Sequence, residues 1–325
     1  MPLRSLRYCL LIALLSFLVA TQTGNLPGQA QTPKTPADSQ TQPKTDDLTF
    51  GVSVNLVNVL CSVFDKNTNS FVTNLTREDF KLYENNKAQE IRNFSRETNL
   101  PITIAMLVDT SKSVAPKLRF EQEAAISFFQ SILREKDRAL LVQFDSGVNL
   151  LQDFTNDPNK LAKQIMNLRA AGGTALYDAI YRVCDEKMIR EPGRKAIVIL
   201  SDGDDESSSV NLAQATEMAI RAETIIFAIS VSKGGFFGVG GEDREGDSVL
   251  KELAQETGGR IFFPFHVDEL DDNFRQINQE LRSQYNIGYL STNPARDGSY
   301  RKLEIKVPER GLKLNYRRGY YAPAG

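Results

Sequence analysis

Three polar side chains follow directly on one apolar segment of the sequence and could together hold a cation. The segment Ile102–Val108 has the composition of a strand buried on both faces, and Asp109, Ser111 and Ser113 come next in the spacing D-x-S-x-S. Carboxylate and hydroxyl oxygens are the hard ligands that suit Mg2+. Ligands also bind at the carboxyl ends of central strands in open α/β sheets. Because Asp and Ser after a strand are equally typical of turns and helix caps, the triplet alone does not establish a site.

Two later loops add oxygen ligands at the same expected edge of a sheet. Thr174 follows two glycines and opens a helical stretch, and Asp202 follows a second buried apolar segment, Ala196–Leu200, in the context Ser-Asp-Gly. The alternation of strand-like and helix-like segments brings these loops to the sheet edge where the first strand ends. We therefore expect oxygen ligands from three separate loops to meet there.

The order of these residues resembles the metal-ion-dependent adhesion site of the von Willebrand factor A family, which is D-x-S-x-S, then a Thr, then an Asp. The five matching positions are Asp109, Ser111, Ser113, Thr174 and Asp202. The resemblance spans roughly Asn99–Tyr285. It implies that these side chains hold Mg2+, or alternatively Mn2+ or Ca2+, directly or through water. It also implies that an Asp or Glu carboxylate of a protein ligand fills the open position on the cation.

The segment Pro101–Tyr285 alternates between strand-like and helix-like stretches. This alternation predicts an α/β fold with a doubly wound, mostly parallel, Rossmann-like sheet flanked by helices, and Val148–Phe154 as its antiparallel edge strand. The flanks Phe50–Ser95 and Tyr285–Gly325 are rich in strand patterns. Three strands at the end of the chain would be marginal alone, so we predict that both flanks form one smaller, β-sandwich-like domain. The segments VTNLTREDFKLYENNKAQEI and RRGYYAP also resemble bacterial exported relatives of that family.

The N-terminus has the pattern of a signal peptide. Two arginines precede the apolar segment Tyr8–Ala20, which is short for a membrane span, and small residues follow. We expect cleavage after Ala20 or Ala30 and a secreted or periplasmic protein, with an uncleaved anchor as the alternative and the only route to a membrane. The expected boundaries are 1–30 for the signal peptide, 31–48 for a disordered linker, 49–98 and 285–325 for the β domain, and 99–284 for the α/β domain.

Charge and cysteine content narrow the function further. The formal charge is −2 and no block of basic residues stands out, so we do not expect nucleic acid as a partner. Cys61 and Cys184 fall in different predicted domains, one on a strand and one on a helix. Two separate buried thiols are expected, and a disulfide between them is the alternative.

Further residues near the predicted edge could contact the ligand. The candidates are Lys112, Gly173, Asp204, Phe236 and Phe237. The two phenylalanines lie in the glycine-rich loop Ser232–Gly246, where they would be costly to expose without a partner. The acidic run Asp204, Asp205 and Glu206 could strengthen the field on a cation, hold a second ion or cap the next helix; we favour the cap.

The sequence thus predicts an exported protein-binding domain and not an enzyme. His266 is the only histidine, and it is distant in the sequence from the three loops. No P-loop or Ser/His/Asp arrangement is present, and no second carboxylate follows Asp109 in the D-x-D spacing of aspartyl phosphatases. One alternative is a metal-independent structural or assembly factor of the cell envelope. Another is a Mg2+-dependent phosphohydrolase, because Mg2+ can polarise phosphoryl oxygens.

Overall fold

The computed structural model describes most of the chain beyond its N-terminal region. The described residues are 56–325, with the exception of 69, 97–99, 232–244, 265, 267 and 310. The predicted signal peptide (1–30) and linker (31–48) lie outside these residues, as do Phe236 and Phe237. Within the described ranges, no helix is long and apolar enough to span a membrane.

Fourteen strands and six α-helices make up the described part of the chain. The strands are β1 (Leu56–Asp65), β2 (Lys81–Glu84), β3 (Lys87–Gln89), β4 (Ile91–Arg96), β5 (Ile102–Asp109), β6 (Arg138–Phe144), β7 (Val148–Thr155), β8 (Arg194–Ser201), β9 (Thr224–Ser230), β10 (Ile261–Phe262), β11 (Tyr285–Leu290), β12 (Tyr300–Lys306), β13 (Leu312–Asn315) and β14 (Gly319–Tyr321). The helices are α1 (Leu118–Ile132), α2 (Pro158–Ile165), α3 (Leu176–Glu186), α4 (Leu212–Arg221), α5 (Glu245–Thr257) and α6 (Asp268–Arg282). Short 3-10 helices span Arg77–Asp79 and Met188–Arg190.

The central sheet has six strands in the order β10-β9-β8-β5-β6-β7. All neighbours are parallel except β6 and β7, which are antiparallel, so the predicted fold class and the predicted edge strand are confirmed. Every residue of β5, β8 and β9 is buried. Such burial is expected for parallel strands that carry helices on both faces.

Two apolar cores lie on opposite faces of this sheet. Successive side chains of β5 alternate between them: Met106 packs into the core that includes residues of α1, α2 and α6, and Leu107 into the core that includes residues of α3, α4 and α5. On the first face, the rings of Phe128 and Phe274 stack with their centroids 4.5 Å apart and so join α1 to α6. Helices therefore cover both faces of the central sheet.

The two β-rich flanks of the sequence pair with each other. Two four-stranded sheets have the orders β13-β1-β11-β4 and β14-β12-β2-β3, and each combines strands from both flanks. β1 is long enough to pair with β11 through Leu56–Cys61 and with β13 through Ser62–Asp65. The two sheets share one apolar core. The predicted second β domain is thus confirmed as part of the fold, and β14 is a strand that the sequence did not predict; the exact domain boundaries stay a prediction.

A buried carboxylate joins the two flanks inside this domain. Glu84 of β2 accepts hydrogen bonds from the hydroxyls of Tyr289, Ser291 and Tyr320 at 2.7, 2.8 and 2.9 Å, and its Oε1 lies 3.5 Å from a guanidinium nitrogen of Arg301. Glu84 is 3% and Arg301 1% exposed. Buried charges need partners, and Glu84 is both the counter-charge of Arg301 and the hydrogen-bond acceptor of three buried or partly buried hydroxyls.

The two cysteines in the described residues are separate thiols. Cys61 lies in β1 and Cys184 in α3, and both are free and buried. Burial raises the pKa of both thiols well above its ordinary value. The predicted pair of separate buried thiols is therefore confirmed.

Replacement of Glu84 by Ala should destabilise the protein strongly, because it leaves the buried guanidinium of Arg301 without a counter-charge. We expect a loss of about 3–5 kcal/mol in the free energy of unfolding, measured by urea denaturation. Glu90 is the matched control, since it pairs with Arg92 at the surface, and Glu90→Ala should cost at most about 1 kcal/mol. Equal losses in the two variants would contradict this role of Glu84.

Candidate metal-binding site

Asp109 lies at the end of β5 and is held by hydrogen bonds on both carboxylate oxygens. Oδ1 accepts from the backbone N–H of Ser111 at 2.8 Å, and Oδ2 accepts from the hydroxyl of Ser201 at 2.6 Å. The Ser201 oxygen in turn accepts from the backbone N–H of Gly203 at 3.0 Å. Because β5 and β8 are parallel neighbours, Asp109 and Ser201 end adjacent strands, and their contact joins the first loop to the third.

The first and second loops also lie side by side. The hydroxyl oxygens of Ser111 and Ser113 are 2.9 Å apart. On the second loop, Thr174 is buried, and the backbone N–H of Ala171 donates to the carbonyl of Thr110 at 2.7 Å. Backbone hydrogen bonding thus brings the loop that carries Thr174 against the D-x-S-x-S loop.

The third loop closes on the second through two backbone hydrogen bonds. The carbonyl of Thr174 accepts from the N–H groups of Glu206 and Ser207 at 3.0 and 2.9 Å. Asp202 begins this loop, and its Oδ1 is buried without a hydrogen-bond partner among the described residues. A buried, unsatisfied carboxylate oxygen is costly, so Asp202 is well suited to a partner that the protein itself does not supply.

The composition of the site fits a hard divalent cation. It offers the carboxylates of two aspartates and the hydroxyls of two serines and one threonine, which are oxygen ligands of the type that Mg2+ prefers. Within the described ranges, no cluster of three or more His, Cys, Asp or Glu side chains could hold a metal ion. The candidate site therefore depends on hydroxyl groups, and the assignment of all five side chains as metal ligands stays a prediction.

Charge is crowded around these loops. Burial raises the pKa of Asp109 to about 6; the hydrogen bonds from Ser201 and Ser111 act in the opposite direction, and the charge of Asp202 adds to the rise. Glu121 has no exposed surface, and neither of its carboxylate oxygens has a hydrogen-bond partner in the described part of the chain.

Glu121 belongs to the same electrostatic cluster. Burial raises the pKa of Glu121 well above its ordinary range, and the charges of Asp109 and Asp202 raise it further, while Lys117 lowers it. Lys117 is itself buried and donates to the carbonyl of Val231. The sequence did not identify Glu121, because a glutamate on an amphipathic helix normally faces solvent.

Three of the predicted ligand-contacting residues lie on the assembled loops. Lys112 and Asp204 are exposed on the first and third loops, respectively. Gly173, on the second loop, donates its backbone N–H to the hydroxyl of Ser146 at 2.6 Å. Ser146 is a positioning contact that the sequence did not reveal, since it precedes Gly173 by 27 residues. Contact of these residues with a ligand stays a prediction.

The acidic run caps a helix, but not the predicted one. Asp205 accepts from the backbone N–H of Tyr177 at 3.1 Å, in the first turn of α3, which precedes it in the chain. The next helix, α4, is capped by Asn211, which accepts from the N–H of Gln214 at 3.0 Å. The prediction of a cap on the following helix is therefore wrong, because the fold brings Asp205 back to the start of α3.

Two glycines pack the third loop against α5. Gly203 has φ +83°, a backbone conformation that disfavours any side chain. A Cβ atom on Gly203 would lie 2.1 Å from the carbonyl oxygen of Gly246, and one on Gly246 would lie 2.3 Å from that of Asp202. The loop that begins with Asp202 can approach α5 this closely only because both residues lack a side chain.

Comparisons with known proteins agree with the resemblance seen in the sequence. Residues 104–204 match the family model described as "von Willebrand factor type A domain", so the resemblance is confirmed over this segment. No curated protein matches the chain.

Solved structures with a similar fold come from several organisms. A von Willebrand factor type A protein from Catenulispora acidiphila is 14% identical with a TM-score of 0.48, covering 72% of this chain and 74% of that one. An aerotolerance-related membrane protein from Bacteroides fragilis is 18% identical with a TM-score of 0.45, covering 55% and 98%. Proximal thread matrix protein 1 from the mussel byssus, with a zinc-occupied MIDAS motif, is 15% identical with a TM-score of 0.48, covering 62% and 50%.

Substitution of Gly203 by Ala should destabilise the protein for two reasons. The new methyl group would collide with the backbone of α5, and residue 203 has a left-handed backbone conformation that alanine disfavours. We expect a loss of at least about 2 kcal/mol in the free energy of unfolding, measured by urea denaturation. Gly147→Ala is the matched control, since nothing lies within 4 Å of its added Cβ. Two variants of equal stability would show that the third loop can move away from α5 at little cost.

Proposed function

We propose that this protein, whose residues 104–204 match the von Willebrand factor type A family, binds a protein ligand through a divalent cation. The residues that would hold the cation are Asp109, Ser111, Ser113, Thr174 and Asp202. The observation that carries the proposal is the buried Oδ1 of Asp202, which has no hydrogen-bond partner among the described residues although its loop is bonded directly to the loop of Thr174. Mg2+ is the expected ion, with Mn2+ or Ca2+ as alternatives.

The protein residues would have separate tasks at this site. Ser201 and the N–H of Ser111 orient the carboxylate of Asp109, and each of its oxygens keeps capacity for a further interaction. Thr174 would take part directly or through water. A bound cation would supply an electrophilic position that a carboxylate can occupy, since only two of the five protein groups carry a formal negative charge.

The partner would be a protein that offers an Asp or Glu carboxylate. We propose that this binding takes place outside the cytoplasm, in a secreted or periplasmic protein, because the first 30 residues have the pattern of a cleaved signal peptide. Binding without catalysis is the function that the donor set supports best. The alternative is a structural or assembly factor that needs no metal, and the following measurement distinguishes it from cation-dependent binding.

Mg2+ or Mn2+ should stabilise the protein against unfolding, because a ligand that binds only the folded state adds to its stability. At a hundred times the dissociation constant the gain should be about 2.7 kcal/mol, read from thermal or urea unfolding with and without EDTA. Asp202→Ala should abolish the gain, while Asp185→Ala, an exposed position on α3, should keep it. A gain that is absent in the unchanged protein would favour the metal-independent alternative.

Capture of a partner should require both the cation and an intact site. The unchanged protein is used as bait in envelope extract with Mg2+ and with EDTA, beside Ser113→Ala, which alters an exposed hydroxyl and leaves the core intact. In Mg2+, we expect the unchanged protein and the control Asp185→Ala to capture partners and Ser113→Ala to capture none. In EDTA, no bait should capture a partner. Partners retained equally in EDTA or by Ser113→Ala would contradict a binding role for the site.

A further inference from the structure

A cavity whose lining residues are distant in the sequence from the candidate metal ligands carries a concentration of positive charge. This basic cleft has a volume of about 310 Å³ and is lined by residues of α5, β10 and β13. Its charged lining residues are Asp247, Lys251, Arg260, Lys313 and Arg318. None of the five candidate metal ligands lines it. The cleft therefore does not belong to the candidate metal site.

Among the residues that the structure describes, three of the four cations in the cleft form no salt bridge. The Nε of Arg260 donates to the buried Glu280 at 2.6 Å. Lys251, Lys313 and Arg318 form no ion pair within the described part of the chain. These three side chains are exposed and can meet a ligand from solvent.

Aromatic rings, and not acidic groups, hold two of these cations in place. The Nζ of Lys313 lies 5.4 Å from the ring centroid of Phe64, and the guanidinium carbon of Arg318 lies 5.3 Å from that of Tyr316. Cation–π contacts orient a charged side chain but do not neutralise its charge. The positive field of the cleft is therefore kept while its side chains are positioned.

The cations of the cleft repel one another. Although Lys313 is exposed, the partial burial of its ammonium group lowers its pKa, and the charge of Arg260 lowers this pKa further, an effect that Glu280 partly offsets. Lys66 and Arg318 act in the same direction as Arg260. An anion bound among these groups would relieve the repulsion, because an opposite charge favours the charged form of each lysine and arginine.

The balance of charge indicates what kind of anion fits. Four cations and one carboxylate, that of Asp247, line the cleft, and the buried Glu280 pairs with Arg260. The local count is therefore four positive and two negative charges, an excess of two positive charges. The whole chain has a formal charge of −2, so this local excess is not a general property of the surface. A carboxylate would neutralise only one charge, whereas a phosphate monoester carries about −1.5 to −2 at pH 7 and has three acceptor oxygens. Arginine and lysine are the usual donors to such groups.

We propose that the basic cleft binds a phosphate monoester group, carried either by a soluble molecule or by a lipid headgroup. Lys251, Lys313 and Arg318 would donate to the phosphate oxygens. Phe263, which is 42% exposed beside these cations, would contact the organic part of the ligand. Phosphate binding here is independent of cation binding at the three loops.

Calorimetric titration with glycerol 3-phosphate tests the soluble form of the ligand. All titrations contain EDTA, so that no cation at the candidate metal site can hold the phosphate. The unchanged protein should bind, and Lys313→Ala and Arg318→Ala should each weaken binding about tenfold or more, since each removes a charge-assisted hydrogen bond. Lys302→Ala, an exposed lysine on β12 outside the cleft, is the matched control and should bind like the unchanged protein.

Co-sedimentation tests the lipid form with vesicles of phosphatidylcholine alone and of phosphatidylcholine with phosphatidic acid. Binding only to vesicles with phosphatidic acid, weakened by Lys313→Ala and not by Lys302→Ala, would assign the cleft to a headgroup. The proposal is overturned if neither probe binds, or if the cleft variants bind as tightly as Lys302→Ala.

Discussion

The hydroxyl of Ser201 connects the loops that follow β5 and β8, which are more than 90 residues apart in the sequence. It donates to Asp109 at 2.6 Å and accepts from Gly203 at 3.0 Å, so one side chain fixes both the orientation of the Asp109 carboxylate and the start of the third loop. The parallel register of β5 and β8, with Val108 opposite Leu200, is what brings the two groups together. A shared site at this edge of the sheet depends on that register.

The cluster of buried carboxyl groups at this edge destabilises the folded protein, and a bound cation would offset this destabilisation. The charge of Asp202 adds to the effect of burial in raising the pKa of Asp109 and of Glu121, the charge of Asp109 also raises that of Glu121, and Lys117 lowers the pKa of Glu121. Buried carboxyl groups without hydrogen bonds destabilise a fold unless something compensates them. A divalent ion near Asp109 and Asp202 would supply this compensation. The clustering of buried carboxyl groups, which destabilises the protein without an ion, would therefore favour ion binding.

The sequence predicted the elements of the fold better than the contacts between them. Periodicity identified the buried strands and the helices, because these follow from which residues are apolar. The pairing of the two flanks follows instead from the marginal stability of three isolated strands. Periodicity missed β14 (Gly319–Tyr321), a three-residue strand in a polar, glycine-containing segment. It also missed Ser201 and Glu121, whose importance depends on neighbours far away in the chain. The cap formed by Asp205 was assigned to the wrong helix for the same reason: spacing along the chain does not reveal which helix start lies beside a loop.

We propose that oxygen atoms from three loops surround one position suited to a divalent cation. Anomalous diffraction from crystals of the protein soaked in Mn2+ tests it directly. We expect one strong anomalous peak among Asp109, Ser111, Ser113 and Asp202, with Thr174 bound directly or through a water molecule. A peak at another place on the protein, or no peak in crystals that contain the intact three-loop arrangement, would contradict it.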